Sequence, residues 1–142
     1  MASFAHLDSR VRDEAQETLE QFGLDERSRS VAGMLSQGER KLLDVAVAFA
    51  LRPKSLFLDE PTSGVGTPDK NQIMETVAAA VRSEAITVVI VEHDMDVVFR
   101  YSDRVEAMHQ GAVLAEGTPQ DIKANDRVAA MLLGSGFFPK GN

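Results

Sequence analysis

Asp59 and Glu60 stand side by side where the apolar run Leu56-Phe57-Leu58 stops, and Pro61 follows at once. Two adjacent carboxylates at the mouth of a buried strand repel each other and lose hydration together, so they are costly as structure alone. The chemistry that fits them is a magnesium ion carrying a nucleotide phosphate, with one carboxylate serving the metal and the other a water molecule. Glu92-His93-Asp94 ends a second, β-branched run at residues 86–91. A histidine after a strand is commonly a capping or surface group, but placement at the same sheet edge as Asp59 and Glu60 favours a part in their chemistry. Ser36 and Glu39 have the spacing of a capping box, in which each side chain satisfies a free amide at a helix start. With Gly38 as the second helical residue, the same amides and the helix dipole also face any approaching anion.

These groups need elements to hold them. Leu7, Val11, Ala15, Leu19 and Phe22 recur at helical spacing, so an amphipathic helix is predicted from near Asp8 to a stop at Gly23, followed by a loop over residues 25–30. A helix is predicted over 36–51, ended by Arg52-Pro53, and a strand over 55–60 that Pro61 terminates. Thr62 to Gly66 reads as a tight loop into a helix capped by Thr67 with Pro68 in its first turn, burying Ile73, Val77 and Val81. A second strand is predicted over 86–93, its run 86–91 apolar on both faces as in a central parallel strand. Asp94 caps a short helix, and a hairpin turns at Gln110-Gly111 between 104–108 and 112–115. Thr118-Pro119 opens another helix and Asp126 a last one closed by Gly134, the hairpin and these helices filling 103–134. Phe137 and Phe138 receive no role. Strand, helix and strand with chemistry at both carboxyl ends make an α/β sheet, in one domain over residues 1–142.

Composition narrows the partners. With 22 acidic against 15 basic residues and a net charge of -7, a general affinity for nucleic acid is excluded, and any bound anion must be held locally. The chain has no cysteine, hence no disulfide framework and no thiolate metal site, in keeping with a reducing compartment. No apolar run approaches the roughly 20 residues that span a bilayer, no secretion signal is seen, and direct membrane insertion is not expected.

By these residues the chain resembles the ATP-binding cassette ATPases, in their C-terminal half. Leu35-Ser36-Gln37-Gly38-Glu39 resembles the signature motif, with Gln37 and Glu39 as variants; residues 55–62 look like the Walker B strand; Ser63-Gly64-Val65-Gly66 falls at the D-loop; and Val91-Glu92-His93-Asp94 falls at the switch histidine. Residues 92–99 and 110–119 look most like the branched-chain amino acid importers. The resemblance implies a partial P-loop NTPase fold, mainly parallel, with ATP and Mg2+ as the site's ligands. It implies that Asp59 holds the metal through water, that Glu60 polarises the attacking water and that His93 touches the γ-phosphate. Ser36, Gln37, Gly38 and Glu39 would face the ATP of the opposite subunit. The D-loop usually has an aspartate where this chain has Gly66.

The resemblance has a gap, because Gly-x-x-x-x-Gly-Lys-Ser/Thr occurs nowhere in the sequence and no glycine is followed by lysine. Without that loop the β- and γ-phosphates have no cradle, so the chain alone is expected to be inactive. The family strand that would lie beside residues 86–91 is missing too. The sheet is expected to close by direct pairing of 86–91 with 104–108, or by exchange with another copy. Two functions compete. One is a fragment of a cytoplasmic ATPase peripheral to the inner membrane, paired with transporter membrane subunits and driving solute import. The other is a non-catalytic dimerisation module that meets a complete cassette, or a second copy, through its signature face. An ATPase of the DNA repair type fits the acidic charge poorly.

Overall fold

The computed structural model describes residues 2–130, with side chains from Ser9 onward; Gly134, Phe137 and Phe138 lie outside the described residues. The chain forms two compact units, one running to His93 and the other starting at Asp94.

The first unit is built from α1 (Ala2–Gln21), α2 (Gln37–Ala50), β1 (Ser55–Asp59), α3 (Thr67–Glu84) and β2 (Thr87–Val91). α1 begins six residues before the expected Asp8, in a stretch without a capping signal, and residues 25–27 form a short 3-10 turn inside the expected loop. Of the described residues of its apolar stripe, Leu19 packs on the core and Phe22 is buried in it, while Val11 and Ala15 remain exposed. Phe22 meets Phe49 of α2 edge to face, with ring centroids 5.3 Å apart, the arrangement that aromatic quadrupoles favour. Leu42, Val45 and Ala46 of α2, Leu56 of β1, and Ile73, Val77 and Ala80 of α3 complete the core. α3 starts at Thr67, so the capping position falls to Gly66 rather than Thr67, and Pro68 sits in the first turn. Its C-terminus is closed by Ala85 in the left-handed region.

β1 and β2 pair in parallel, in constant register from Ser55↔Thr87 to Asp59↔Val91. The expectation that residues 86–91 are covered on both faces fails. Phe57 (75 % exposed), Val89 and Val91 share one side of the pair and are exposed, whereas the helices of the first unit pack on the side carrying Leu56 and Leu58.

The second unit holds α4 (Met95–Tyr101), β3 (Val105–His109), β4 (Ala112–Gly117), α5 (Pro119–Lys123) and α6 (Asp126–Val128). Asp94 caps α4, and Thr118 with Asp121 forms a capping box at α5. The β3–β4 hairpin is antiparallel, turns at Gln110 and Gly111 with φ of 48° and 79°, and shifts register at Ala107/Met108. Consecutive positive φ values are what a two-residue hairpin turn requires, and Gln110 adopts one in the less favourable non-glycine form. Ala107, Ile122 and Val128 are its small core. Among the described residues β2 pairs with β1 and β3 with β4, giving two two-stranded sheets, so closure by direct pairing of residues 86–91 with 104–108 does not occur within the chain.

Candidate functional site

The first unit gathers the sequence-singled groups at the carboxyl ends of β1 and β2. β1 ends at Asp59, and Glu60 turns the chain with φ of 45°, a left-handed conformation that side chains rarely adopt. Four hydrogen bonds hold this turn. Glu60 N–H donates to Val91 C=O at 2.9 Å, Ser63 N–H donates to Glu60 C=O at 3.1 Å, and Lys41 Nζ reaches Glu60 C=O at 3.3 Å while also donating to Ser63 Oγ at 3.0 Å. The strained turn aims the Glu60 carboxylate at His93, where Oε1 lies 3.1 Å from the ring Nδ1. Asp59 is exposed at the same strand end.

Thr62 sits two residues beyond Glu60 and is 1 % exposed. Its hydroxyl and its N–H both donate to Glu92 Oε1, and His93 N–H donates to Glu92 Oε2. Glu92 thus joins the loop after β1 to the residue that carries the imidazole.

At the start of α2 the capping box forms as its spacing predicts. Glu39 N–H donates to Ser36 Oγ at 3.2 Å, and Ser36 N–H donates to Glu39 Oε2 at 2.7 Å. Arg27, from the 3-10 turn, adds a bond from Nε to Glu39 Oε1 at 2.7 Å. The Ser36 amide and then the Arg27 guanidinium hold the Glu39 carboxyl below its ordinary range, and Glu39 in turn raises Arg27. Ser36 and Gln37 are exposed, whereas Gly38 and Glu39 are half-buried beside Asp69 and Gln72 of α3. The Gln37 side chain lies over Gly64, where an added Cβ would meet Gln37 Nε2 at 2.4 Å. α2 therefore touches the loop 60–64 twice, through Gln37 and through Lys41.

Of the residues chosen from sequence, Glu60 and His93 come together, Gln37 meets Gly64, and Ser36 pairs with Glu39. Val65 packs against the core and Gly66 caps α3. Lys41, Arg27, Thr62 and Glu92 were not assigned contacts from sequence. Their partners lie 12 to 30 residues away, beyond the reach of any local pattern.

The same arrangement can be tested against magnesium and ATP. An acid pair and an imidazole at strand ends suit the metal-and-water side of phosphoryl transfer. The described residues hold no group of three or more His, Asp or Glu side chains able to grip a metal, and the sequence has no glycine-lysine loop to cradle phosphates. The described residues therefore fit one side of such a site and do not by themselves fit the bound nucleotide. No described helix is long and apolar enough to cross a membrane.

Comparison with known proteins agrees with the architecture. A family model described as "ABC transporter" matches residues 3–63. The high-affinity branched-chain amino acid transport ATP-binding protein LivG of Escherichia coli K12 is 34 % identical over 132 residues, covering 93 % of this chain and 52 % of LivG. BraF of Pseudomonas aeruginosa, of the same description, is 35 % identical over 133 residues with the same coverage. The chain thus spans about half the length of the curated relatives it matches. Among solved structures, the ADP conformation of MJ1267, an ATP-binding cassette of an ABC transporter, is similar with a TM-score of 0.75 and 29 % identity, over 87 % of this chain and 50 % of that one. Part of the transporter complex cbiONQ, cbiO1 of Clostridium perfringens, gives a TM-score of 0.78 at 28 % identity, over 89 % and 52 %.

Proposed function

The chain carries part of the ABC transporter ATPase fold, and from that premise we propose that it supplies the hydrolytic and signature portion of an ATP-binding subunit that drives solute import. The observation that carries this reading is the Glu60–His93 contact of 3.1 Å at the mouth of a parallel strand pair. Bound Mg-ATP supplies the electrophilic γ-phosphorus and a metal to neutralise charge. Glu60 would be the group that orients the attacking water and accepts its proton, and His93, in contact with the Glu60 carboxylate, would supply an imidazole to the charge developing on the phosphate. Asp59, exposed at the same strand end, would be the residue that holds the magnesium. Ser36, Gln37, Gly38 and Glu39 present the start of α2 to a nucleotide on an opposing subunit, and Ser63 to Gly66 face that subunit's loop.

The similarity to LivG and BraF supports branched-chain amino acids as the solute, and an ATP-binding subunit of that kind would work in the cytoplasm, at the inner membrane through transporter membrane subunits. The absent phosphate cradle favours a second reading, a non-catalytic module that pairs with a complete cassette through its signature face or forms a homo-oligomer. Phosphate release separates the two. The 142-residue chain alone is expected to show no turnover. Mixed with a polypeptide carrying the phosphate-loop half of a LivG-type cassette, it is expected to hydrolyse ATP, and Glu60→Gln should lower that rate by about 10²-fold or more. Association without turnover would favour the module, and turnover by the chain alone would overturn the requirement for the loop.

A further inference from the structure

The two groups that meet at the strand ends are not fixed by their own contact. His93 and Glu60 are 76 % and 49 % exposed at their side chains, and a polar contact so open to water contributes little to holding its partners in place. Backbone anchors must set the geometry instead. The Thr62 hydroxyl, the Thr62 N–H at 3.3 Å and the His93 N–H at 3.2 Å all converge on the Glu92 carboxylate, two on one oxygen and one on the other. Thr62 is buried, and the residue before Glu92 accepts the Glu60 N–H, so the two chain segments are joined on both sides of the reacting pair.

We propose that Glu92 is the positioning residue of the Glu60–His93 pair, its ionised carboxylate clamping the loop after β1 to the end of β2. Three donors arriving on two oxygens call for an acceptor-only group, which an ionised carboxylate is and a carboxamide is not. Glutamine at this position would keep an oxygen for Thr62 but turn an NH2 toward the His93 amide. The purpose assigned to the clamp rests on the hydrolytic reading above, whereas the clamp itself is measurable without nucleotide.

The test uses the 142-residue chain and compares Glu92→Gln and Glu92→Ala with the parent by amide hydrogen exchange and by nitrogen NMR of the His93 ring. Glu92→Ala is expected to speed exchange at Thr62 and His93 by roughly ten- to hundredfold. Ile73 and Val77 in the core should keep their protection, and the His93 Nδ1 resonance should move to where Glu60→Ala places it. Glu92→Gln is expected to restore protection at Thr62 and not at His93. An unmoved Nδ1 resonance, a loss of protection shared equally by Ile73 and Val77, or a Glu92→Gln variant that matches the parent at both amides would each overturn the proposal. Failure of hydrolysis in the mixed assay would remove the clamp's catalytic purpose without altering these readings, so the two failures are separate.

Discussion

Replacing Glu60 by glycine should separate what this residue does from what its backbone costs. Glu60 has φ of 45°, and a side-chain-bearing residue in the left-handed region costs roughly 1–2 kcal/mol relative to the right-handed one. Glycine escapes that cost but gives back about 0.5–1 kcal/mol through its larger freedom in the unfolded chain. The comparison must therefore be with Glu60→Ala, which lacks the carboxylate yet keeps the strained backbone. Glu60→Gly should exceed Glu60→Ala in stability by about 0.5–1 kcal/mol, the difference of those two terms. In urea, with a slope of about 1–3 kcal/mol per molar, that is an upward midpoint shift of roughly 0.2–1 M. Ala85→Gly is the internal control, since Ala85 has φ of 52° at the end of α3 and carries no proposed chemistry. It should show a gain of similar size. The assay is urea unfolding followed by circular dichroism at constant slope. If Glu60→Gly proves less stable than Glu60→Ala while Ala85→Gly gains, the Glu60 turn is not strained and the account of how the carboxylate is aimed fails.

Two other outcomes follow from contacts described above. Because its partners hold the Glu39 carboxyl below its ordinary pKa, its contribution to stability is full above the unfolded value and is lost as pH falls through the folded one. Urea midpoints measured from about pH 7 to about pH 3 should fall less steeply in Glu39→Gln than in the parent, and an unchanged acid slope would contradict this. Asp121, lowered by the Thr118 hydroxyl and amide, contributes with the same sign. Gly64→Ala meets the Gln37 carboxamide and forces a side chain to φ of 77°, and should cost more than the net of about 0.5–1 kcal/mol for an alanine at positive φ in the same unfolding assay, the excess being the collision. Adding Gln37→Ala should relieve the collision and leave the backbone cost, so complete rescue in the double variant would show that strain at Gly64 is negligible.

What sequence made legible here was local. Ser36 and Glu39 announced their cap because both ends of a capping box lie within one helical turn, and Gln110-Gly111 announced the hairpin because a two-residue turn needs consecutive positive φ values. Asp59, Glu60 and His93 stood out because polar groups at strand ends are conspicuous after apolar runs. The contacts that give the site its shape were hidden. Lys41 reaches Ser63 across 22 residues and Glu92 reaches Thr62 across 30, and nothing in either neighbourhood encodes the partner. The left-handed turn at Glu60 was equally hidden, since glutamate does not advertise positive φ as glycine does. The stripe on α1 misled in the other direction: Val11 and Ala15 have the right spacing for burial but are exposed, while Leu19 and Phe22 reach the core. Covering of both strand faces was inferred from β-branched residues, a pattern that records what a strand can pack against and not what is present.

The parallel pairing of β1 with β2 also dictates when the site appears as the chain folds. Ser55 and Thr87 can register only after roughly thirty residues of intervening chain, α3 included, have closed into a loop, and that entropy is lost before any ladder bond is gained. The capping box of α2 and the turns of α3 need contacts only a few residues apart. Helices first and strand ends last is the order this topology imposes. The Glu60–His93 contact therefore waits on the β1–β2 pairing, and any cut between residues 55 and 87 would turn that closure into an encounter of two separate chains.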